Sequence, residues 1–389
     1  MSKLHFTPSQ VKEILSELAR GENGAALVLK LGLEAIMLSE REEHNRLQGD
    51  QSNGYRFRKT FGQGKLLELR VPRSRRGHFY PLILSIIRDQ EEEARKLAFS
   101  LYGNGLTEEQ VGELFGELYG RSYSSSQISR MFDFSRDLVS SWLSRPLEQY
   151  YPILLIDATY ISTRRIDSVS KEAYYTILGV REDRTREVLA IINIPIESSH
   201  GWEDVFSRLV ERGVKEVGLV ISDGLTGIEN AIWKIFPKAN IQLCVVHLQR
   251  NVLKHIRPKD KSSVAADLKD VFRINDSYDN TEQAWNRWKA FCDKWGRYYT
   301  SIVRMKNNER YKLYFTYLEY HYRIRGMIYT TNWIERLNRS YKRTTRMRGA
   351  LPNPQATMLL LGYVAMNRNE YLRKIPFLNY ENKLFHWTE

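Results

Sequence analysis

Apolar residues recur at helical spacing from Pro8 to about Glu43: Val11, Ile14, Leu15 and Leu18, then Val28, Leu31, Ala35 and Leu38. After the polar stretch NRLQGDQSNG the period falls to two. YRFRKTFGQGKLLELRVPRSRRG alternates as a strand, a turn at Gly62–Gly64 and a second strand. Residues 81–148 return to helical spacing. At Pro146 the texture changes again, and YPILLIDATYIST, AYYTILGVRED and REVLAIINIPI read as three strands. An amphipathic helix from Trp202 to Arg212 follows. VKEVGLVISDG then reads as a buried strand, GIENAIWKIFP as a helix and IQLCVVH as a further strand. Three strands followed by helix–strand–helix–strand describe an α/β domain with a mixed sheet. Beyond His247 the strand signal stops. Residues 255–328 look entirely helical, and a basic helix opens the last stretch.

The pattern divides the chain into an N-terminal helical region (1–50), a basic β-ribbon (51–80) and a helical region (81–148). The first part of the α/β core (149–254), an all-α segment (255–328) and a second part of the core with basic C-terminal helices (329–389) complete it. The 389 residues are 42% hydrophobic, ample for a large core. Net charge is +13, an excess that favours a polyanionic partner, nucleic acid being the usual one. Two cysteines, Cys244 and Cys292, exclude a disulfide framework. With no signal-peptide apolar region at the start and no apolar run of membrane length, a soluble intracellular protein is expected, with no membrane partner.

The cations are clustered. Arg56, Arg58, Lys59, Lys65, Arg70, Arg73, Arg75 and Arg76 lie on the ribbon, where they either contact phosphate or form a solvated strand face. LTEEQVGELFGELYGRSYSSSQISRMFD has the grammar of a helix-turn-helix. Thr107 caps a first helix, Gly120 supplies the turn and Ser124 or Ser125 caps a second. If that second helix enters a major groove it presents Gln127 and Arg130 to bases; otherwise it is an ordinary helical hairpin.

Candidate chemistry rests on three acids. Asp157 closes the first apolar strand and Asp223 the fourth, so they emerge at one sheet edge. The third is Glu335 in TTNWIERLNRSYKRTTRMRG, the one acid among Arg336, Arg339, Lys342, Arg343, Arg346 and Arg348. In a helix, Ile334, Leu337 and Tyr341 form a stripe that packs on the sheet. Glu335, Asn338 or Arg339, and Lys342 form the next stripe. Either Glu335 is a helix-start charge, stabilised there by about 0.3–1 kcal/mol, or it joins the two Asp. Three such acids form the arrangement that binds two divalent cations for phosphodiester displacement.

Asp157 in LLIDATY, Asp223 in ISDG, QLCVVHLQRN and TTNWIERLN together resemble the mutator-type transposases of bacterial insertion sequences, related to Mutator-like elements. The resemblance spans about residues 50–375. It implies an RNase H-like catalytic fold whose DDE acids are Asp157, Asp223 and Glu335, with a helical insertion before the Glu. Separations of 66 and 112 residues leave room for that insertion. It further implies two Mg²⁺ ions, for which Mn²⁺ substitutes, held by the three acids. The family's Cys-x-x-His signature falls on Cys244 and His247, and these two with Asn332 are expected at the active-site edge. The chain lacks a second Cys pair that would complete a zinc site. Family members often carry Pro or a small residue where this chain has Trp333.

The reading implied is a transposase that binds the terminal inverted repeats of its element and target DNA, both double-stranded, as a homodimer in the bacterial cytoplasm, associated with the nucleoid. It would nick to expose a 3′-OH and then join that end to another phosphodiester. A nuclease that cuts without joining, or a DNA-binding regulator that has kept the fold, are the rivals. In the insertion, Trp285, Trp288 and Trp295 share one side of a helix. They form either a hydrophobic seam or a platform for an unpaired base.

Overall fold

The computed structural model describes residues 7–19, 24–62, 65–119, 123–166, 168–194, 198–346, 348–375, 378–379 and 386–387. The chain is mixed α/β and forms two compact units, residues 1–136 and 137–389.

In the first unit, α1 (Pro8–Ala19) and α2 (Gly24–Gln48) precede β1 (Ser52–Gly62) and β2 (Lys65–Ser74). The strands pair antiparallel with Arg56 opposite Val71 and Arg58 opposite Leu69. Alternation sorts β2 into two faces. Leu67, Leu69 and Val71 are buried with Leu33 and Met37 of α2, while Glu68 and Arg70 are exposed. Residues 63 and 64 of the expected glycine turn lie outside the described residues. α3 (Leu82–Gly103), α4 (Glu108–Tyr119) and α5 (Ser125–Met131) follow, and α6 (Asp133–Leu143) leads into the second unit.

Thr107 Oγ1 accepts from Gln110 N at 3.2 Å, which caps α4. Ser124 caps α5 through a reciprocal pair: its Oγ accepts from Gln127 N at 3.3 Å, and Gln127 Oε1 accepts from Ser124 N at 2.9 Å. A Cβ on Gly112 would stand 2.6 Å from the Tyr123 carbonyl oxygen, so only glycine permits this approach of α4 to the α5 entry. Gly120, the expected turn residue, lies outside the described residues.

The second unit is built on a five-stranded sheet. Its strands are β3 (Tyr150–Arg164), β4 (Val169–Val180), β5 (Arg186–Asn193), β6 (Glu216–Ser222) and β7 (Asn240–Leu243), in the spatial order β5-β4-β3-β6-β7. The meander β3–β4–β5 is antiparallel, whereas β6 and β7 run parallel to β3. α7 (Ser199–Glu211) and α8 (Ile228–Ile235) supply the two crossovers. Leu154, Ile156 and Ala158 of β3 pack with Trp202, Phe206 and Ile232 of these helices. The alternate residues of β3 point to the opposite face. There α14 (Asn332–Thr345) buries Ile334, Leu337 and Tyr341.

Between β7 and α14 lie α9 (Val245–Lys254), α10 (Lys261–Val271), α11 (Thr281–Gly296), α12 (Thr300–Val303) and α13 (Tyr322–Ile328). Trp285, Trp288 and Trp295 of α11 are all buried: the first two join an aromatic cluster with Phe272, Phe291, Tyr311 and Phe315, and Trp295 packs against Tyr298 and Tyr299. They form the seam of a helical bundle. α15 (Pro354–Met366) closes the unit beside β5. Among the described residues no helix is long and apolar enough to cross a membrane.

One buried ionic knot holds the far end of the sheet. Glu187 Oε1 accepts from Tyr151 Oη at 2.6 Å and from Arg181 Nε at 2.8 Å, and Glu187 Oε2 lies 2.5 Å from Arg145 Nη2. Removing the acid leaves two partly buried guanidiniums and a hydroxyl without their acceptor. Glu187→Ala is expected to destabilise the second unit by about 3 kcal/mol. Urea denaturation followed by tryptophan fluorescence reads the loss, and an unchanged midpoint would refute it.

Candidate active site

Asp157 and Asp223 are brought together by strand register. The parallel ladder of β3 and β6 ends with Ile156 opposite Ser222, so the residues that follow on its two sides are the two acids. Neighbouring strands lie about 4.8 Å apart, which sets their carboxylates side by side. Asp157 does not close its strand, as the sequence pattern suggests. β3 continues to Arg164, paired to β4, and Asp157 sits in its middle. Only the pairing with β6 stops there.

Asp157 is 5% exposed on the face covered by α14. Its Oδ2 accepts from Asn338 Nδ2 at 2.7 Å, and its Oδ1 accepts from Ala158 N at 2.9 Å. Burial pushes this carboxyl up to about 6. The positive charge of His247 and the Ala158 hydrogen bond act against the rise, while the charges of Asp223 and Glu335 add to it.

The segment IQLCVVH is not one strand. β7 ends at Leu243, Cys244 is the N-cap of α9, and His247 lies in the first turn of that helix. Val245 and Val246 favour a strand locally, but Val245, Leu248 and Val252 make a buried helical stripe and packing decides. The junction is tied on both sides: Cys244 N donates to Ser222 O at 2.8 Å and Val245 N to Tyr329 O at 3.0 Å. Cys244 Sγ is buried beside the Thr330 and Thr331 hydroxyls, at 3.7 and 3.6 Å.

His247 Nδ1 lies 3.1 Å from Asp223 Oδ1. A hydrogen bond to Cys244 raises the His247 pKa to about 9; burial opposes this, and the charges of Cys244, Asp223 and Asp157 reinforce it. Burial raises the Cys244 thiol, but its hydrogen bond from His247 and that ring's charge bring it below the ordinary value.

Among the described residues, Asp157, Asp223 and His247 form a metal-capable group, with one donor atom from each within 4.8 Å of the others. Glu335 stands beside this group and outside it. It belongs to the first turn of α14, half-buried, with Oε1 3.3 Å from Arg250 Nη2 of α9. Asn332 is exposed at the start of the same helix and Trp333 is half-buried. A nest of carboxylates with one buried, mutually repelling member suits a hard cation, which takes oxygen ligands.

Residues 11–374 match the family described as Transposase, Mutator family. The chain belongs to the Mutator family of transposases. Over 385 residues it is 30% identical to a probable transposase for insertion sequence element ISRM3-like of Sinorhizobium fredii, covering 94% of each chain. It is 28% identical over 381 residues to the transposase for insertion sequence element IS256 in transposon Tn4001 of Staphylococcus aureus, covering 95% of this chain and 96% of that one. The transposase for insertion sequence element IS905 of Lactococcus lactis is 29% identical over 308 residues, covering 79% and 77%.

In this Mutator-family transposase the cations after Glu335 take the outer side of α14. Arg336, Arg339, Lys342 and Arg343 are exposed, as is Arg346 just beyond the helix, and Arg348 is half-buried. On the ribbon, Arg56 and Arg73 are exposed, Arg58 Nη1 donates to Tyr80 Oη at 3.3 Å, and the Arg70 guanidinium stacks on Tyr55 at 4.6 Å. Arg75 Nη1 donates to Gln51 Oε1 at 2.9 Å, and Arg76 Nη1 to Gln48 O at 3.3 Å. In the helical hairpin, the Gln127 amide oxygen is engaged in the α5 cap and Arg130 Nε donates to Ser126 O at 3.3 Å.

Two contacts of this site escaped sequence reasoning. Asn338, one helical turn after Glu335, donates to Asp157. Arg250, three residues after His247, pairs with Glu335. Both sit at i,i+3 from a residue already singled out, and Arg250 becomes visible only once QLCVVHLQRN is seen as a helix.

Proposed function

We propose that the chain is the DDE transposase of an insertion sequence, binding the element's terminal inverted repeats and carrying out metal-dependent strand cleavage and strand transfer. The observation that carries it is the placement of Asp157 and Asp223 side by side just past one end of a parallel ladder, near enough to Glu335 of α14 for its charge to act on Asp157, in a chain of this family. The sheet order, three antiparallel strands followed by two parallel ones, supports an RNase H-like core.

Asp157, Asp223 and Glu335 would hold two Mg²⁺ ions, or Mn²⁺ in their place. Such ions, when bound, supply activation of the attacking hydroxyl and stabilisation of the leaving oxygen in an in-line displacement. The chain's own residues do the rest. Asn338 fixes the rotamer of Asp157, and Arg250 restrains Glu335. The exposed cations of α14 and the following loop line a backbone path into the site, where each phosphate contact adds affinity without reading sequence. The ribbon and the α4–α5 hairpin are the proposed readers of the terminal repeats. Two ends must be joined, so a homodimer is the expected minimum.

The test is a labelled duplex carrying the element's own terminal repeat, incubated with protein and Mg²⁺ or Mn²⁺, with and without chelator. Nicked and joined products are expected with either ion, and neither after chelation. Cleaved ends with no joined product would point to a plain nuclease. DNA binding with no metal-dependent nicking would point to a regulator, and either result would overturn the proposal.

A further inference from the structure

The helical excursion comes back to the sheet along two short 3₁₀ turns, Glu309–Tyr314 and Thr316–Glu319. Gln242 of β7, 0% exposed, pins this returning segment. Its Nε2 donates to Leu243 O at 2.6 Å and to Tyr314 O at 3.1 Å, and its Oε1 accepts from Tyr317 N at 2.6 Å. From the pinned segment Arg310 reaches across to the turn that follows β6. Its Nη2 donates to Gly224 O at 2.6 Å, and its Nε and Nη2 donate to Glu229 Oε1 at 2.9 and 2.6 Å. Glu229 is 8% exposed, in the first turn of α8.

Gly224 comes directly after Asp223 and has a φ of 68°. A glycine in the left-handed region has wide torsional freedom, so the direction of the preceding side chain is not fixed by local backbone preference. His247 meets the Asp223 carboxylate itself at 3.1 Å, and the backbone that carries it is held from outside the turn. The guanidinium fork does this by holding the Gly224 carbonyl and the Glu229 carboxylate at once, which a lysine's point charge cannot reproduce.

We propose that Arg310 is a positioning residue for Asp223. The returning segment of the helical excursion clamps the Asp223–Gly224 turn, and so sets how the Asp223 carboxylate is presented to a divalent cation. The inference rests on the reading of Asp223 as a metal ligand, and it makes the all-α excursion part of the site's architecture.

The test uses the full chain without DNA. Mn²⁺ binding is followed by the electron paramagnetic resonance signal of the free ion, and backbone amide exchange over residues 223–228 is followed in the metal-free protein. Variants are Arg310→Ala, Arg310→Lys, the double Glu229→Gln/Arg310→Gln and the control Asp223→Asn. The double variant leaves no buried charge unpaired and guards against simple misfolding. Mn²⁺ affinity should fall about tenfold or more in all three Arg310 variants, and amide exchange in the turn should accelerate by a similar factor. Folded Arg310 variants with wild-type Mn²⁺ affinity, alongside a control that has lost it, would overturn the proposal. If Asp223→Asn itself binds Mn²⁺ normally, the metal reading of the site is what fails. Amide exchange then decides the clamp alone: acceleration upholds it, and an unchanged rate ends it.

Discussion

Glu335→Gln is expected to bind terminal-repeat DNA as the wild type does while losing nicking and joining together, by about 10³-fold or more. The size follows from the proposed role: a ligand to a catalytic cation supports several kcal/mol of transition-state stabilisation, and each 1.36 kcal/mol is about tenfold in rate. The substitution keeps the side chain's length and its contact to Arg250, 3.3 Å away, and removes only charge. The competing role gives a different number. A helix-start acid contributes about 0.3–1 kcal/mol of stability and nothing to chemistry. Glu335 lies in the first turn of α14, whose N-cap, Thr331, makes no side-chain cap, so that role is open to it. Cleavage and joining rates close to wild type, with a slightly lower thermal midpoint, would therefore remove Glu335 from the site.

Asp157→Asn is expected to have two opposed effects: loss of catalysis of the same order, and a metal-free protein more stable than wild type. The carboxyl is buried beside two other acids and is raised from 3.8 to about 6. For an acid with a raised folded value, the native state binds the proton more tightly than the unfolded chain. Stability then falls as pH rises between about 4 and 6, and the full penalty is present above that. At 1.36 kcal/mol per pH unit its ceiling is about 3 kcal/mol, and with relaxation of the site a gain of about 1–3 kcal/mol at pH 7.5 is expected. The carboxamide that replaces the acid can still accept from Asn338. The gain should shrink towards zero near pH 4, and Mn²⁺ should raise the midpoint of the wild type far more than that of the variant. Metal-free thermal unfolding at the two pH values measures it. A variant less stable than wild type at pH 7.5 would show that the buried carboxylate is not under strain.

Much of the sheet was legible because its strands obey simple rules. β3, β4, β5 and β6 are runs of β-branched and aromatic residues, and α8 shows its apolar stripe plainly. The failures have identifiable causes. Val245 and Val246 carry strand propensity, yet the neighbouring apolar positions are spaced for a helix, and a window as short as IQLCVVH cannot separate the two. Asp157 looked like a strand end because polarity rises there, whereas the event at that point is the loss of one neighbour, β6, while β4 stays paired. A ladder that stops on one side only leaves no mark in a single sequence. The contacts of the candidate site were the least visible part. Asn338, Arg250 and Arg310 reach acids 181, 85 and 81 residues away in the chain, through packing that no local pattern encodes.

The position of Asp157 has a mechanical consequence. It sits in the central strand of the sheet, tied to β4 through its own register partner and bordered by β6 at the preceding residue. Its backbone cannot shift without disturbing two ladders. Asp223 stands before a glycine turn and Glu335 on the first turn of a helix. One acid is thus a fixed datum, while the other two are set by side-chain ties, the Asp223 turn through Arg310 and Glu335 through Arg250. In the proposed site, a change in either tie would move its acid, with Asp157 as the point against which both are measured.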